Sequence, residues 1–366
     1  MKSLLFFSNP FGYGPTATMM AVLRHFTNLT NVKIYVIARG LCAEILDNNT
    51  SNIQIVDIDQ RDVKQIQSLL KQHKDPYVIS SLNRFAVLAA KELSIPSCFI
   101  DTLTYLWDKI PDDYLKADIY YANDFPTVLD KMSGHDNAIA TPLIIDKDIN
   151  LITPSTKRQG TILQLGGLKS PLSDLPPTDY LNLIAYCLNT TKHHVTVTGG
   201  KDGLKYLQTK VSAPNIRFES LTKNDFLHKL SVSELCISTP GLNTTIESLF
   251  LGTPISFIMP TNLSQWVNYN IFRQFETTGI DITWENLTDG DLNINGLPEY
   301  DAIIKINQLA QQIQQTPSVM AKLRKMFEKT VSQIPTYSKQ CALLTKYGTD
   351  GAEFIFKDIC TRWRLN

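Results

Sequence analysis

Residues 238–260 read STPGLNTTIESLFLGTPISFIMP, and a single carboxylate, Glu247, interrupts an otherwise apolar helical pattern. The run ELCIS predicts a strand, TPG a turn, and LNTTIESLFLG a helix ending at Gly252. Gly241 then precedes a first helical turn that holds Asn243, Thr244 and Thr245. The first amides of a helix lack intrahelical partners, and the helix dipole is positive there, so an anion is favoured. That is the chemistry of a diphosphate site. Glu247, a few residues further along, is within reach of a ribose on that diphosphate, because a carboxylate accepts from two hydroxyls at once. The same residues also fit a plainer arrangement, an Asn243 N-cap with a favourable early-turn acid.

The next segment, MPTNLSQWVNYNIFRQFETTGI, places Asn262, Ser264 and Gln265 at a helix start and Asn268 within that helix, before a Thr-Thr-Gly turn. Amides suit sugar hydroxyls, each of which both donates and accepts. Upstream, Gly166 and Gly167 end the run GTILQLGG, where bare backbone amides can cradle phosphate oxygens and Lys169 adds charge. Gly199 and Gly200 repeat the device. In the first half, SNPFGYGPTATMMA has Gly12 and Gly14 flanking Tyr13, glycines expected on the donor side because they allow φ > 0 and let a ligand approach the backbone, with Pro15 suited to a first helical turn. Ala17 stands where a dinucleotide fingerprint has its third glycine, and IARG offers no ribose acid, which counts against a nicotinamide-dependent dehydrogenase.

A transfer reaction also needs a base. Asp101, ending SCFID, is the first candidate; an Asx turn or cap toward Thr102 and Thr104 is its structural alternative. Asp124, in YAND, is the second. Tyr13 and Trp107 are expected on the acceptor side, with Tyr105 beside them, unless these rings belong to the core. The D-x-D patterns at 57–59 and 289–291 read as capping and turn residues, and His193-His194 lacks further ligands, so no metal and no bound cofactor is expected.

These loops require strands to carry them. Both halves of the chain alternate apolar runs with amphipathic segments: KSLLFFS, VKIYVIA, IQIVDID, YVISS, SCFIDT and ADIYYAND, then GTILQLGG, HHVTVTGG, NIRFES, ELCIS and PISFIMP. Such alternation predicts an α/β protein of two Rossmann-like, doubly wound parallel sheets facing across a cleft, with ligands beyond the carboxyl ends of the strands. The expected divisions are 1–150, 159–335 and a helical tail, 336–366, packing back on the first domain, with a linker at 145–160. The 366 residues suit two domains, and 43% hydrophobic content suits large cores. Lys+Arg and Asp+Glu are both 35, which argues against a nucleic-acid partner. The six cysteines form no C-x-x-C pair and read as buried free thiols of a reducing compartment. The apolar run after Met1 is too short for a signal or a membrane span, so a cytoplasmic protein is expected.

With these residues in view, the chain resembles the nucleotide-sugar glycosyltransferases of the GT-B fold. The branch it is most similar to contains the peptidoglycan lipid-intermediate N-acetylglucosaminyltransferase and the natural-product UDP-glycosyltransferases. The resemblance is specific mainly between Gly160 and Gly279. It implies a UDP-sugar donor, a small-molecule acceptor and a metal-independent, inverting transfer. It also implies that Gly241 opens the diphosphate turn, that Glu247 binds ribose, and that Gln265 and Asn268 contact the sugar. Gly166 and Gly167 would form the glycine-rich donor loop. Residues 215–221, ending at Leu221, would bind the base through backbone groups. Many relatives have a catalytic His where this chain has Pro15. The segments FGYGPTATMMAVLRHF and CFIDTLTYLWDKIP are similar to cytosylglucuronate synthases, which implies UDP-glucuronate and a pyrimidine or similar heterocycle. Two other functions fit the same fold, a UDP-sugar 2-epimerase and a non-catalytic nucleotide-sugar-binding or partner protein. Oligomeric state is not legible in the sequence.

Overall fold

In a computed structural model of the chain, residues 1–46, 53–168, 176–275, 279–290, 292–335 and 341–365 are described. The chain divides into two compact units, Met1–Ile149 with Leu344–Asn366, and Asn150–Leu343.

The first unit is built on a seven-stranded sheet. Its strands are β1 (Lys2–Ser8), β2 (Val32–Ile37), β3 (Ile53–Val56), β4 (Pro76–Ser81), β5 (Ser97–Asp101), β6 (Ile119–Asn123) and β7 (Ala138–Thr141). Their order is β3-β2-β1-β4-β5-β6-β7, and every pairing is parallel. Parallel strands covered on both faces read as continuous apolar runs, which is why β1 is so plain in the sequence. Alternate side chains serve opposite cores. Leu4 and Phe6 join one cluster with Val22, Phe26 and Ile355; Leu5 and Phe7 join another with Ile66 and Ala86. The helix Gly14–Phe26 starts with Pro15, whose missing N–H costs nothing in a first turn. The helix Gly351–Trp363, from the far end of the chain, packs on it, with Phe356 edge-on to Phe26 at 4.9 Å. It starts so close to β7's exit that a Cβ on Gly351 would lie 2.1 Å from the Pro142 carbonyl oxygen.

The second unit has a five-stranded parallel sheet: β8 (Thr161–Gln164), β9 (Val195–Thr198), β10 (Ile216–Glu219), β11 (Leu235–Ser238) and β12 (Ile255–Phe257), in the order β10-β9-β8-β11-β12. Its core includes Tyr180, Trp284 and Phe327. Trp284 is fully buried, and its Nε1–H donates to the Pro260 carbonyl at 2.8 Å, fixing the chain just beyond β12. Each sheet thus winds outward from its centre and reverses once, between β1 and β4 in the first unit and between β8 and β11 in the second. Such reversal points open a crevice at the carboxyl ends of the strands.

The expected strands are present. β7 was not expected: its AIAT is short, only partly buried and lies at the sheet edge, so it carries little apolar signal. Among the described residues, no helix is long and apolar enough to cross a membrane.

Candidate functional site

At the reversal point of the second sheet, β11 ends at Ser238 and the turn 239–241 leads into the helix Leu242–Phe250. Gly241 is the N-cap, no side chain caps this helix start, and its first turn holds no acid. The first helical bond runs from Thr245 N–H to Gly241 O at 3.1 Å. Gly241 has φ −81°, and a Cβ there would meet nothing closer than Thr239 O at 3.8 Å. The glycine is therefore not required by the turn's conformation; what it provides is an open approach to the helix start. Asn243 and Thr244 are half-buried.

Side chains brace this turn from within. Ser238 Oγ donates to Thr239 O at 2.7 Å, and Thr245 Oγ1 to Gly241 O at 2.7 Å. Asn268 braces the turn from outside it. It is 2% exposed and donates Nδ2–H to the Pro240 carbonyl at 2.9 Å, which ties the helix Leu263–Phe272 to the turn. Gln265 stands at the start of that helix, half-buried. Its Oε1 accepts from Thr261 N–H (2.7 Å) and Thr261 Oγ1 (3.0 Å), which leaves its NH2 group as the donor. Asn262 caps the same helix through Gln265 N–H at 2.9 Å.

Glu247 is 4% exposed and hydrogen-bonds through Oε1 to the ammonium of Lys223, itself 8% exposed. The expected carboxylate is thus half of a buried ion pair. Lys223 opens the helix Lys223–Val232 two residues after Leu221, which is half-buried in the loop leaving β10. Sequence reasoning did not single out Lys223, because nothing local in SLTKND marks a lysine as buried. It also missed Glu299. That carboxylate accepts from the backbone N–H groups of Leu263 and Ser264, and burial pushes its pKa up to about 7. In the sequence it is an ordinary first-turn acid of the helix Glu299–Gln314.

The two double glycines differ. Gly166 has φ +69°, donates its N–H to Gln164 Oε1 at 2.9 Å and accepts Gly200 N–H at 2.8 Å. A Cβ on Gly200 would lie 2.1 Å from Gly167 O, and one on Gly199 2.9 Å from Gly166 O. Gly199 and Gly200 are therefore packing glycines that let two turns touch backbone to backbone, which corrects their reading as a second phosphate cradle. Lys169, Asp291 and the Thr-Thr of the Thr-Thr-Gly turn lie outside the described residues.

In the first unit, Gly12 has φ +66° and Gly14 begins the first helix. Tyr13 is tethered, its hydroxyl donating to Glu44 Oε2 at 2.9 Å. Asp101 corrects the expectation of a general base. It is 0% exposed; Oδ1 accepts from Leu103 N–H (2.6 Å), and Oδ2 from Trp107 Nε1–H (2.9 Å) and the Tyr120 hydroxyl (2.6 Å). Burial raises its pKa, against the pull of those same hydrogen bonds. Both oxygens are committed to the fold. Trp107 is half-buried, its indole held by Asp101 and its ring edge-on to Tyr114 at 5.8 Å. Tyr105 is buried, its ring 5.1 Å from that of Phe125. Asp124, half-buried at the exit of β6, donates its backbone N–H to Thr141 O at 2.7 Å.

The D-x-D aspartates are engaged locally. Asp59 accepts from Arg61 N–H at 3.0 Å, and Asp289 pairs with Lys322 at 2.7 Å. Among the described residues no three His, Cys, Asp or Glu gather as metal ligands.

No protein-family model and no curated protein sequence matches the chain. Solved structures do match. UGT89C1 of Arabidopsis thaliana, complexed with UDP, aligns over 98% of this chain and 100% of its own, with a TM-score of 0.53 and 10% identity. UGT73P12 of Glycyrrhiza uralensis, complexed with glycyrrhetinic acid 3-O-monoglucuronide, aligns over 100% and 96%, at 0.55 and 11%. MnaA of S. aureus, with UDP, aligns over 100% and 98%, at 0.55 and 12%. The chain has the GT-B fold. At these identities the likeness is one of backbone, and the chemistry has to come from the side chains just described.

Proposed function

We propose that the chain is a glycosyltransferase that moves a sugar from a UDP-sugar to a small-molecule acceptor, without a metal and with inversion. The observation that carries the reading is the helix start at 241–245. It lies at the reversal point of its sheet, lacks a side-chain cap and has Glu247 in its second turn. Backbone amides and the dipole of that helix would stabilise the departing diphosphate, the charge that builds up as the glycosidic bond breaks. Glu247 would accept the ribose hydroxyls, Leu221 and its neighbours would meet the base through backbone groups, and the Gln265 amide would donate to the sugar. Gly166 and Gly167 would border the phosphates. Of the three matched structures named above, two hold UDP and one a glucuronide, which makes UDP-glucuronate the first donor to screen, with pyrimidines among the first acceptors.

With Asp101 committed to the fold, Asp124 is the carboxylate we assign as base, with Tyr13 and Trp107 against the acceptor. A second reading follows from the same commitment of Asp101 and from Pro15: a protein that binds a nucleotide sugar without transferring it.

The test is calorimetry with UDP and other nucleoside diphosphates on the native protein and on Glu247→Ala. Selective UDP binding, weakened by about 1–3 kcal/mol in the variant, is the expected result. A folded protein that binds no nucleotide overturns the reading. UDP binding without turnover across donors and acceptors favours the second one.

A further inference from the structure

We propose that Thr261 is a positioning residue for recognition of the donor sugar: its backbone N–H and its hydroxyl together hold Gln265 Oε1, so that the amide presents its NH2 group, and only that group, to the sugar. The inference rests on the UDP-sugar reading above.

Thr261 sits on a fixed platform. The carbonyls just before it are claimed by buried rings from elsewhere in the unit, Met259 O by the Tyr180 hydroxyl at 3.1 Å and Pro260 O by Trp284 Nε1–H at 2.8 Å. From there Thr261 N–H reaches Gln265 Oε1 at 2.7 Å, and the Thr261 hydroxyl reaches the same atom at 3.0 Å. A backbone N–H can only donate, so the atom it meets is the amide oxygen, and the two ends of the carboxamide are told apart. Gln265 is half-buried. Its Nε2 meets no acceptor among the described residues and is not one of the buried polar atoms left unpaired, so it is open to a ligand.

The helix gives the amide its direction. Gln265 and Asn268 are three apart on Leu263–Phe272 and share a face. Asn268 bonds to Pro240 O, so that face meets the turn that opens the helix Leu242–Phe250, and Gln265 lies on it one turn nearer the N-terminus. In a UDP-sugar the group beyond the diphosphate is the sugar. Helix capping alone does not account for the arrangement. Asn262 already caps this helix through Gln265 N–H at 2.9 Å, and the reciprocal bond of a capping box would run from Asn262 N–H to the Gln265 side chain. Gln265 reaches past it to Thr261. The hydroxyl bond satisfies no backbone group, so what it adds is the orientation of the amide. Thr261 touches the recognising group and not the reacting atoms.

The experiment measures, by calorimetry, the affinities for UDP-glucose and UDP-glucuronate relative to that for UDP. It uses the native protein, Thr261→Val, Thr261→Ser, Gln265→Ala and the double variant of Thr261→Val with Gln265→Ala. In Gln265→Ala the relative affinity for the tighter UDP-sugar should fall by about three- to tenfold, the order of one hydrogen bond between neutral groups. Thr261→Val should lower it by about threefold while UDP itself changes by less than about twofold. Thr261→Ser, which keeps the hydroxyl, should match the native protein. The double variant should be no worse than Gln265→Ala, because a residue that acts through the amide then has nothing to act on. If the Val variant does not fold, Thr261→Ala set against Thr261→Ser gives the same comparison. An unchanged ratio in the folded Val or Ala variant, a loss in Thr261→Ser as large as theirs, additive losses in the double variant, or an equal loss for UDP and the UDP-sugars overturns the inference and leaves the donor-site reading standing. Native protein that binds UDP but neither UDP-sugar also overturns it, and native protein that binds no nucleotide overturns both.

Discussion

Two strand ends in this molecule offer a carboxylate close to a helical turn, and they use it in opposite ways. At the end of β5, Asp101 accepts from Leu103, Trp107 and Tyr120. Beyond β11, the polar side chains Ser238, Thr245 and Asn268 all donate to carbonyls of residues 239–241. The first arrangement spends the carboxylate on the fold. The second spends the surrounding side chains on the turn's carbonyls and leaves the helix start without a side-chain cap. What a strand-end acid can do for a ligand is decided by the hydrogen bonds the fold has already claimed.

The largest effect should come from breaking the first arrangement. Asp101→Ala would take the shared acceptor from Leu103, Trp107 and Tyr120, the first two of them partly buried donors, and each unmet donor costs about 1–3 kcal/mol. A loss of roughly 3–5 kcal/mol in urea denaturation is expected. If stability is retained and only turnover falls, Asp101 is a base after all.

The glycines sharpen the same contrast. Gly200→Ala would set a Cβ 2.1 Å from the Gly167 carbonyl oxygen, and a loss of about 1–3 kcal/mol follows from such overpacking. Gly241→Ala meets no contact inside 3.8 Å. It should change stability by less than about 0.5 kcal/mol while weakening UDP binding. Thermal melts and calorimetry on the pair separate packing from approach.

A pH-dependent effect concerns Glu299. Its folded pKa of about 7 lies above the ordinary 4.5, so the native state holds the proton more tightly than the unfolded one. Its contribution to stability is fully present below pH 4.5 and is lost as pH rises through 7. Relative to Glu299→Gln, the native protein should lose about 1–2 kcal/mol between those limits, the shift being discounted for partial exposure. Parallel stability–pH curves for the two proteins would refute this.

The fold class was legible because parallel strands buried on both faces leave unbroken apolar runs, as in β1 and β6, each followed by helix-forming sequence. β7 was not, since a short, half-buried edge strand makes no such run. Around the candidate site, local signals carried the turn at 239–241 and the helix after it. They did not carry partners that arrive from elsewhere in the chain. Lys223 meets Glu247 across two helices, and Glu299 reaches the start of a helix that precedes it by more than a loop. Gly166-Gly167 and Gly199-Gly200 are the same dipeptide in the sequence, yet Gly166 is set by its φ of +69° while Gly199 and Gly200 are forced by backbone packed against them. Asp101 looked available because a sequence cannot show that Tyr120 and Trp107 converge on it.

The helix Gly351–Trp363 belongs to a unit whose first segment ends at Ile149. Between Ile149 and Gly351 lie about 200 residues, which a ribosome adds at roughly 5–20 per second. For roughly 10–40 seconds after that first segment is made, then, Phe26 still waits without Phe356, and the face of the first helix that the last one covers stays open. The second unit is continuous in the chain and emerges whole before that helix does, so the part begun first is the part completed last.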